Sequence, residues 1–180
     1  MKILFLCGKY SPGNDGVADY TLRLANHLSK SGHDHLIVSL YSQDNDIVPN
    51  TFDITKDVIR ISSKSNPFFA ISSLSTICKQ FQPDFISLQY VPYAFNKKGL
   101  PFWLCLIPFL IRYPCKYQLM MHELWVPAAN ITSKVILHLL TKICTILILK
   151  SFKPSILHTS NAYYQGLLGK YGFNSTLLPI

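Results

Sequence analysis

Short apolar runs recur along the chain, at 2–7 (KILFLC), 35–40 (HLIVSL), 57–61 (DVIRI), 84–88 (DFISL), 117–121 (YQLMM), 155–158 (SILH) and 175–178 (STLL). All have strand length, and the first and fourth are almost continuously apolar, the pattern of strands covered on both faces. Stretches of helical period separate most of them. Over 16–31, Val17, Thr21, Leu24 and Leu28 fall along one face, with Asn14-Asp15 ahead of it as an N-cap signal and Gly32 behind it as a C′ glycine. Further helices are predicted over 67–80, 100–112, 131–151 and 160–171, with Pro101 suited to a first turn and Pro108 kinking its helix. The polar stretch 41–56 reads as a loop. This alternation predicts an α/β fold, a Rossmann-like, doubly wound, mostly parallel sheet of about seven strands with helices on both faces. A length of 180 residues fits one such domain, 1–180.

Composition narrows the class. The chain is 49% apolar and 14% charged, which excludes disorder and leaves a thin polar surface. The formal charge of +8 is uneven: residues 1–96 balance to zero, whereas 97–180 carry nine Lys/Arg against Glu123 alone. A basic, apolar second half suits anionic lipid or a phosphate ligand. Nucleic acid is not expected, because no Arg-rich stripe appears. Cys7, Cys78, Cys105, Cys115 and Cys144 form no CxxC pair and have no zinc-like spacing to histidine, so they read as reduced core thiols of a cytoplasmic protein. No metal site is expected.

In such sheets ligands collect beyond the carboxyl ends of the strands, which directs attention to 8–16, 89–98, 122–130 and 159–161. The first holds "GKYSPGNDGVADY". Gly8, Gly13 and Gly16 match neither a dinucleotide-binding fingerprint nor a Walker A loop. Gly16 at a helix start would open unpaired N–H groups and a positive dipole end to an anion, or the glycines simply let the chain turn. In "LQYVPYAFNKKGLP", Tyr90 and Tyr93 could stack on a sugar ring and Lys97-Lys98 could meet a phosphate; a loop capping the sheet is the other reading. In "MMHELWVP", His122 and Glu123 follow a strand, and Val126 excludes a zinc-protease motif. A histidine at a strand end is often structural, but one where ligand-like loops converge is a candidate for chemistry.

These segments, in this order, resemble the N-terminal domain of bacterial family 4 glycosyltransferases of the GT-B fold. "PGNDGVADYTLRLANHL" is similar to that family's first glycine loop and helix, "LQYVPY" and "HELW" to its next post-strand loops, and "LHTSNAYYQGLL" to the strand and helix closing the domain. The resemblance covers 1–180. It implies retaining transfer of a sugar from a nucleotide-sugar donor to a glycan or lipid-linked acceptor, without metal or other cofactor, as in polysaccharide biosynthesis. His122 would contact the transferred sugar; Asn14, Asp15 and Gly16 would lie at the donor phosphate or sugar. Tyr90, Tyr93, Glu123 and Trp125 would serve the acceptor or sugar. Asn14-Asp15-Gly16 stand where the family has its paired glycines, and the side chains at 14 and 15 put close backbone approach in question. The family grips its donor mainly with a C-terminal α/β domain, which is absent from 1–180, so this chain is not expected to catalyse transfer alone. The alternative is a non-catalytic sugar- or lipid-binding module derived from a truncated enzyme.

One segment invites a membrane reading. Val135–Leu149 is an apolar stretch of fifteen residues, short of the roughly 20 that span a bilayer. Polar positions 134, 138, 141 and 145 recur at helical spacing, predicting one narrow wet face on a core helix or on one lying in a bilayer surface. Arg112, Lys116, Lys150 and Lys153 would meet anionic headgroups at the inner face of the cytoplasmic membrane.

Overall fold

The computed structural model describes residues 1–42, 57–62, 64–125 and 132–178. All seven apolar runs form strands: β1 (Lys2–Cys7), β2 (Asp34–Ser42), β3 (Val58–Ser62), β4 (Phe85–Tyr90), β5 (Lys116–Met121), β6 (Ile156–Thr159) and β7 (Thr176–Leu177). They make one sheet in the order β3-β2-β1-β4-β5-β6-β7, with every neighbouring pair parallel. The doubly wound α/β expectation therefore holds. Most of the polar stretch 41–56 lies outside the described residues.

Helices cover the two faces unequally. α1 (Gly16–Lys30) lies on one face, where Ala18 and Ala25 pack against Ile3, Phe5 and Ile37. Its fully buried line runs through the small Ala18, Thr21 and Ala25, which set a close approach to the sheet, with Leu24 and Leu28 packed at its margin. Asp15 caps it, accepting from the Val17 N–H at 3.0 Å, and Gly32 takes the left-handed conformation just past Ser31. On the other face α2 (Pro67–Phe81), α5 (Thr132–Phe152) and α6 (Ala162–Lys170) close the main core with the alternate residues of β1, β4 and β5.

Two sequence expectations change. The single helix over 100–112 is a 3₁₀ turn, Phe102–Leu106, followed by the short α4 (Ile107–Leu110). Pro108 has no N–H to donate back and its ring blocks the preceding carbonyl, so the two pieces cannot fuse. The loop after β4 begins with one helical turn, α3 (Pro92–Phe95), started by Pro92. That turn sends Phe95 into the core, stacked on Tyr90 with ring centroids 6.4 Å apart.

The face of α5 predicted to be wet is divided: Lys134 is exposed and His138 half-buried, but the two threonines turn inward. Thr141 and Thr145 are fully buried, their hydroxyls bonded to carbonyls one turn back, and Thr145 also bonds Leu124 O and Tyr90 Oη. Backbone acceptors supply what water would have, so these polar groups enter the core without an unpaired hydroxyl. The five cysteines are free. Burial pushes the thiols of Cys7, Cys78 and Cys144 up to about 12, so they stay protonated near neutral pH.

Candidate functional site

The chain winds outward from β1 through β2 to β3, returns to place β4 beside β1, then winds the other way. The connections leaving the carboxyl ends of β1 and β4 therefore diverge and leave an opening between them. An open crevice of about 380 Å³ lies there, lined by Gly8, Lys9, Asp15, Gly16, Gln89 and His122 among others. Glu123 lines it too, and it also lines a larger neighbouring crevice of about 830 Å³ with Tyr93, Trp125, Asn161, Tyr163 and Tyr171.

Local packing explains the floor. A Cβ on Gly8 would stand 2.3 Å from the carbonyl oxygen of Ala94, so only glycine lets the end of β1 pass beneath α3. Gly16 differs: nothing lies within 4 Å of where its Cβ would be, and it faces open space at the first turn of α1. The first-turn amides of a helix lack intrahelical acceptors, but Asp15 takes the one from Val17, and Asp19 accepts from the Gly13 N–H at 2.7 Å. Both carboxylates occupy positions a phosphate would otherwise use.

His122 is the best defined group. It extends β5 by one residue, is 6% exposed, and stands edge-on to Tyr20 of α1 at 5.0 Å between centroids. Burial lowers its pKa to about 4, so the imidazole is neutral near pH 7. A hydrogen-bond series sets its tautomer. Gln118 Nε2 donates to His158 Nδ1 at 3.2 Å, and Ser87 Oγ donates to Gln118 Oε1. Gln89 Nε2 in turn donates to Ser87 Oγ at 2.8 Å, leaving Gln89 Oε1 to accept from His122 Nε2 at 2.9 Å. With the proton on Nε2, Nδ1 can only accept, and it is buried with no partner among the described residues. An acceptor left unpaired in this way costs about 1–3 kcal/mol.

The sequence-derived candidates separate. Asp15, Gly16, His122 and Glu123 meet in the smaller crevice; Tyr93, Glu123 and Trp125 meet in the larger. Asn14 is exposed in a turn and lines neither. Tyr90 is a correction: it is wholly buried, its hydroxyl bonded to Thr145 Oγ1 at 3.1 Å, and it is a core residue that no sugar can reach. Lys97 and Lys98 are exposed and line neither crevice. Residues 126–130 of the third post-strand segment lie outside the described residues. Lys9 and Gln89 were missed. Gln89 had a signal, since it is a lone amide near the end of an otherwise apolar buried strand.

No family model and no curated protein matches the chain. Among solved structures, the fold is similar to an alpha-glucosyltransferase in complex with UDP and a 13-mer DNA containing a central A:G mismatch, with a TM-score of 0.49 and 12% identity. The match covers 89% of this chain, which spans 37% of the length of that protein. Similarity at that level says nothing about substrate or partner.

Proposed function

We propose that this chain is the acceptor-side half of a retaining glycosyltransferase of the GT-B type, related to family 4, and that a second α/β domain must face the crevice before sugar is transferred. The observation that carries the reading is the gathering of Gly16, Gln89, His122 and Glu123 at the sheet's switch point, where a resemblance confined to sequence segments had placed the sugar and donor.

The charges apportion the ligand. Asp15 and Glu123 against Lys9 give this wall a slight negative balance, and His122 adds none. Such a wall suits hydroxyl groups better than a diphosphate. Asp15 and Glu123 are acceptors for sugar hydroxyls, with His122 forming the wall between them, while Lys9 and the start of α1 touch at most the near edge of the diphosphate. Most of the phosphate charge that develops as the bond from the anomeric carbon to the leaving oxygen breaks is met by the facing domain. The aromatic side chains of the larger crevice take the acceptor, with Tyr93 laid over Gly99, whose Cβ would come within 3.2 Å of the ring.

The stretch Asn14-Asp15-Gly16 in place of paired glycines favours a second reading, a sugar-binding module without transfer. Incubating the chain with a candidate donor-binding α/β domain, a panel of nucleotide sugars and lipid or glycan acceptors separates the two. Mass spectrometry should find a glycosylated acceptor only when both halves are present. Saturable sugar binding with no product under any pairing supports the binding module instead.

A further inference from the structure

Between Lys134 and Lys150 every exposed residue of α5 is aliphatic: Val135, Ile136, Leu139, Leu140, Ile143 and Leu147. The helix is thus apolar outside while Thr141 and Thr145 are inside, the reverse of a helix on a water-facing surface. The stripe from Ile136 to Leu147 is about 16 Å long. The 3₁₀ turn and α4 pack against α5 and extend the apolar surface through Phe102, Leu106, Phe109 and Leu110, with Phe109 70% exposed. Exposed Arg112, Lys150 and Lys153 flank it at the ends of these elements, and Glu123 is the sole acid from residue 97 onward. A patch of this size with a cationic rim marks a docking surface.

We propose that this face seats the protein on an anionic lipid bilayer, with the outer side of α5 and the tip of α4 in the headgroup–acyl boundary and the flanking cations on lipid phosphates. Charge complementarity selects the occupant: a rim of one sign repels a second copy of itself and attracts an anionic surface. Although α5 is long and apolar enough to cross a membrane by length and composition, it is the connection between the paired strands β5 and β6, and its inner side is core. It lies on the bilayer rather than through it. At 100° per residue, Ile136, Leu140 and Leu147 point opposite to His138 and Lys142, which line the larger crevice. Val135 and Leu139 lie nearer to Lys142, so docking by this face sets the larger crevice at the edge of the membrane contact. The proposal does not depend on sugar transfer.

Co-sedimentation of the full chain with vesicles tests it. Vesicles of phosphatidylcholine with about one-third phosphatidylglycerol should carry the chain down, phosphatidylcholine alone should carry much less, and about 0.5 M salt should weaken the anionic case. Leu139→Gln/Ile143→Gln should reduce binding about tenfold while leaving the circular dichroism spectrum and melting temperature no worse. Wild-type chain that stays in the supernatant with anionic vesicles overturns the proposal, as does a double variant that binds like wild type. So does self-association without vesicles that the double variant abolishes, since a second copy would then own the face.

Discussion

His122 Nε2 donates to Gln89 Oε1 at 2.9 Å, and this one bond fixes the tautomer and the orientation of the imidazole at the crevice. Gln89 cannot present its amide nitrogen instead, because that group is held by Ser87. Long-range proton–nitrogen NMR should therefore find His122 neutral and protonated on Nε2 from about pH 8 to about pH 5. Gln89→Glu, which sets a carboxylate in the same place, should move the titration up by about one pH unit or more. A wild-type ring protonated on Nδ1 would refute the assignment.

Stability should depend on pH through the same ring. Its pKa falls from 6.5 to about 4 on folding, so the unfolded chain binds the extra proton within that window. The contribution is fully present above the unfolded value and is lost as pH drops toward the folded one. By pH 5 the loss is about 2 kcal/mol. Urea unfolding of wild type and His122→Gln should show a slope between these limits that the variant lacks. Parallel curves would count against a buried neutral histidine.

Two glycines should respond in opposite ways. Gly8→Ala drives a methyl group into the backbone of Ala94 and should cost about 2 kcal/mol or more in chemical denaturation. Gly16→Ala places its methyl in open space and should stay within about 0.5 kcal/mol of wild type, yet weaken sugar-ligand binding by narrowing the crevice. Equal stability of the two variants would contradict the packing described.

The tyrosines divide into core and site. Tyr90→Phe removes the bond to Thr145 and should cost about 1 kcal/mol without touching ligand affinity. Tyr93→Ala should leave the melting temperature close to wild type and raise the KM for acceptor in the paired system. Trp125→Ala should raise that KM and also lower the melting temperature, because Trp125 packs against the main core. If Tyr90→Phe altered acceptor kinetics, its assignment to the core would fail.

Much of this was legible in the sequence because strand burial writes itself as apolar runs, and the capping pair Asn14-Asp15 and Gly32 bracket α1 within a residue. The gathering of His122 with Gly16 followed from one rule about where strand ends point. What was not legible depends on contacts distant along the chain. Tyr90 looked like a loop aromatic until α3 and Thr145 supplied a core for it, 55 residues away. Polar residues of α5 looked wet because spacing cannot tell which side of a helix meets the sheet. Gln89 carried a local signal, but its meaning appears only beside β5, where Ser87 and His122 hold both ends of its amide.

The central claim is that one ligand touches the ends of β1, β4 and β5 together. Titrating a panel of nucleotide sugars and their free sugars into isotope-labelled chain, with NMR detection, addresses it without needing the second domain. The account predicts that a bound sugar shifts the signals of Gly16, Gln89 and His122 in concert. Saturable shifts confined to another part of the sheet, with these three signals unmoved, would contradict it.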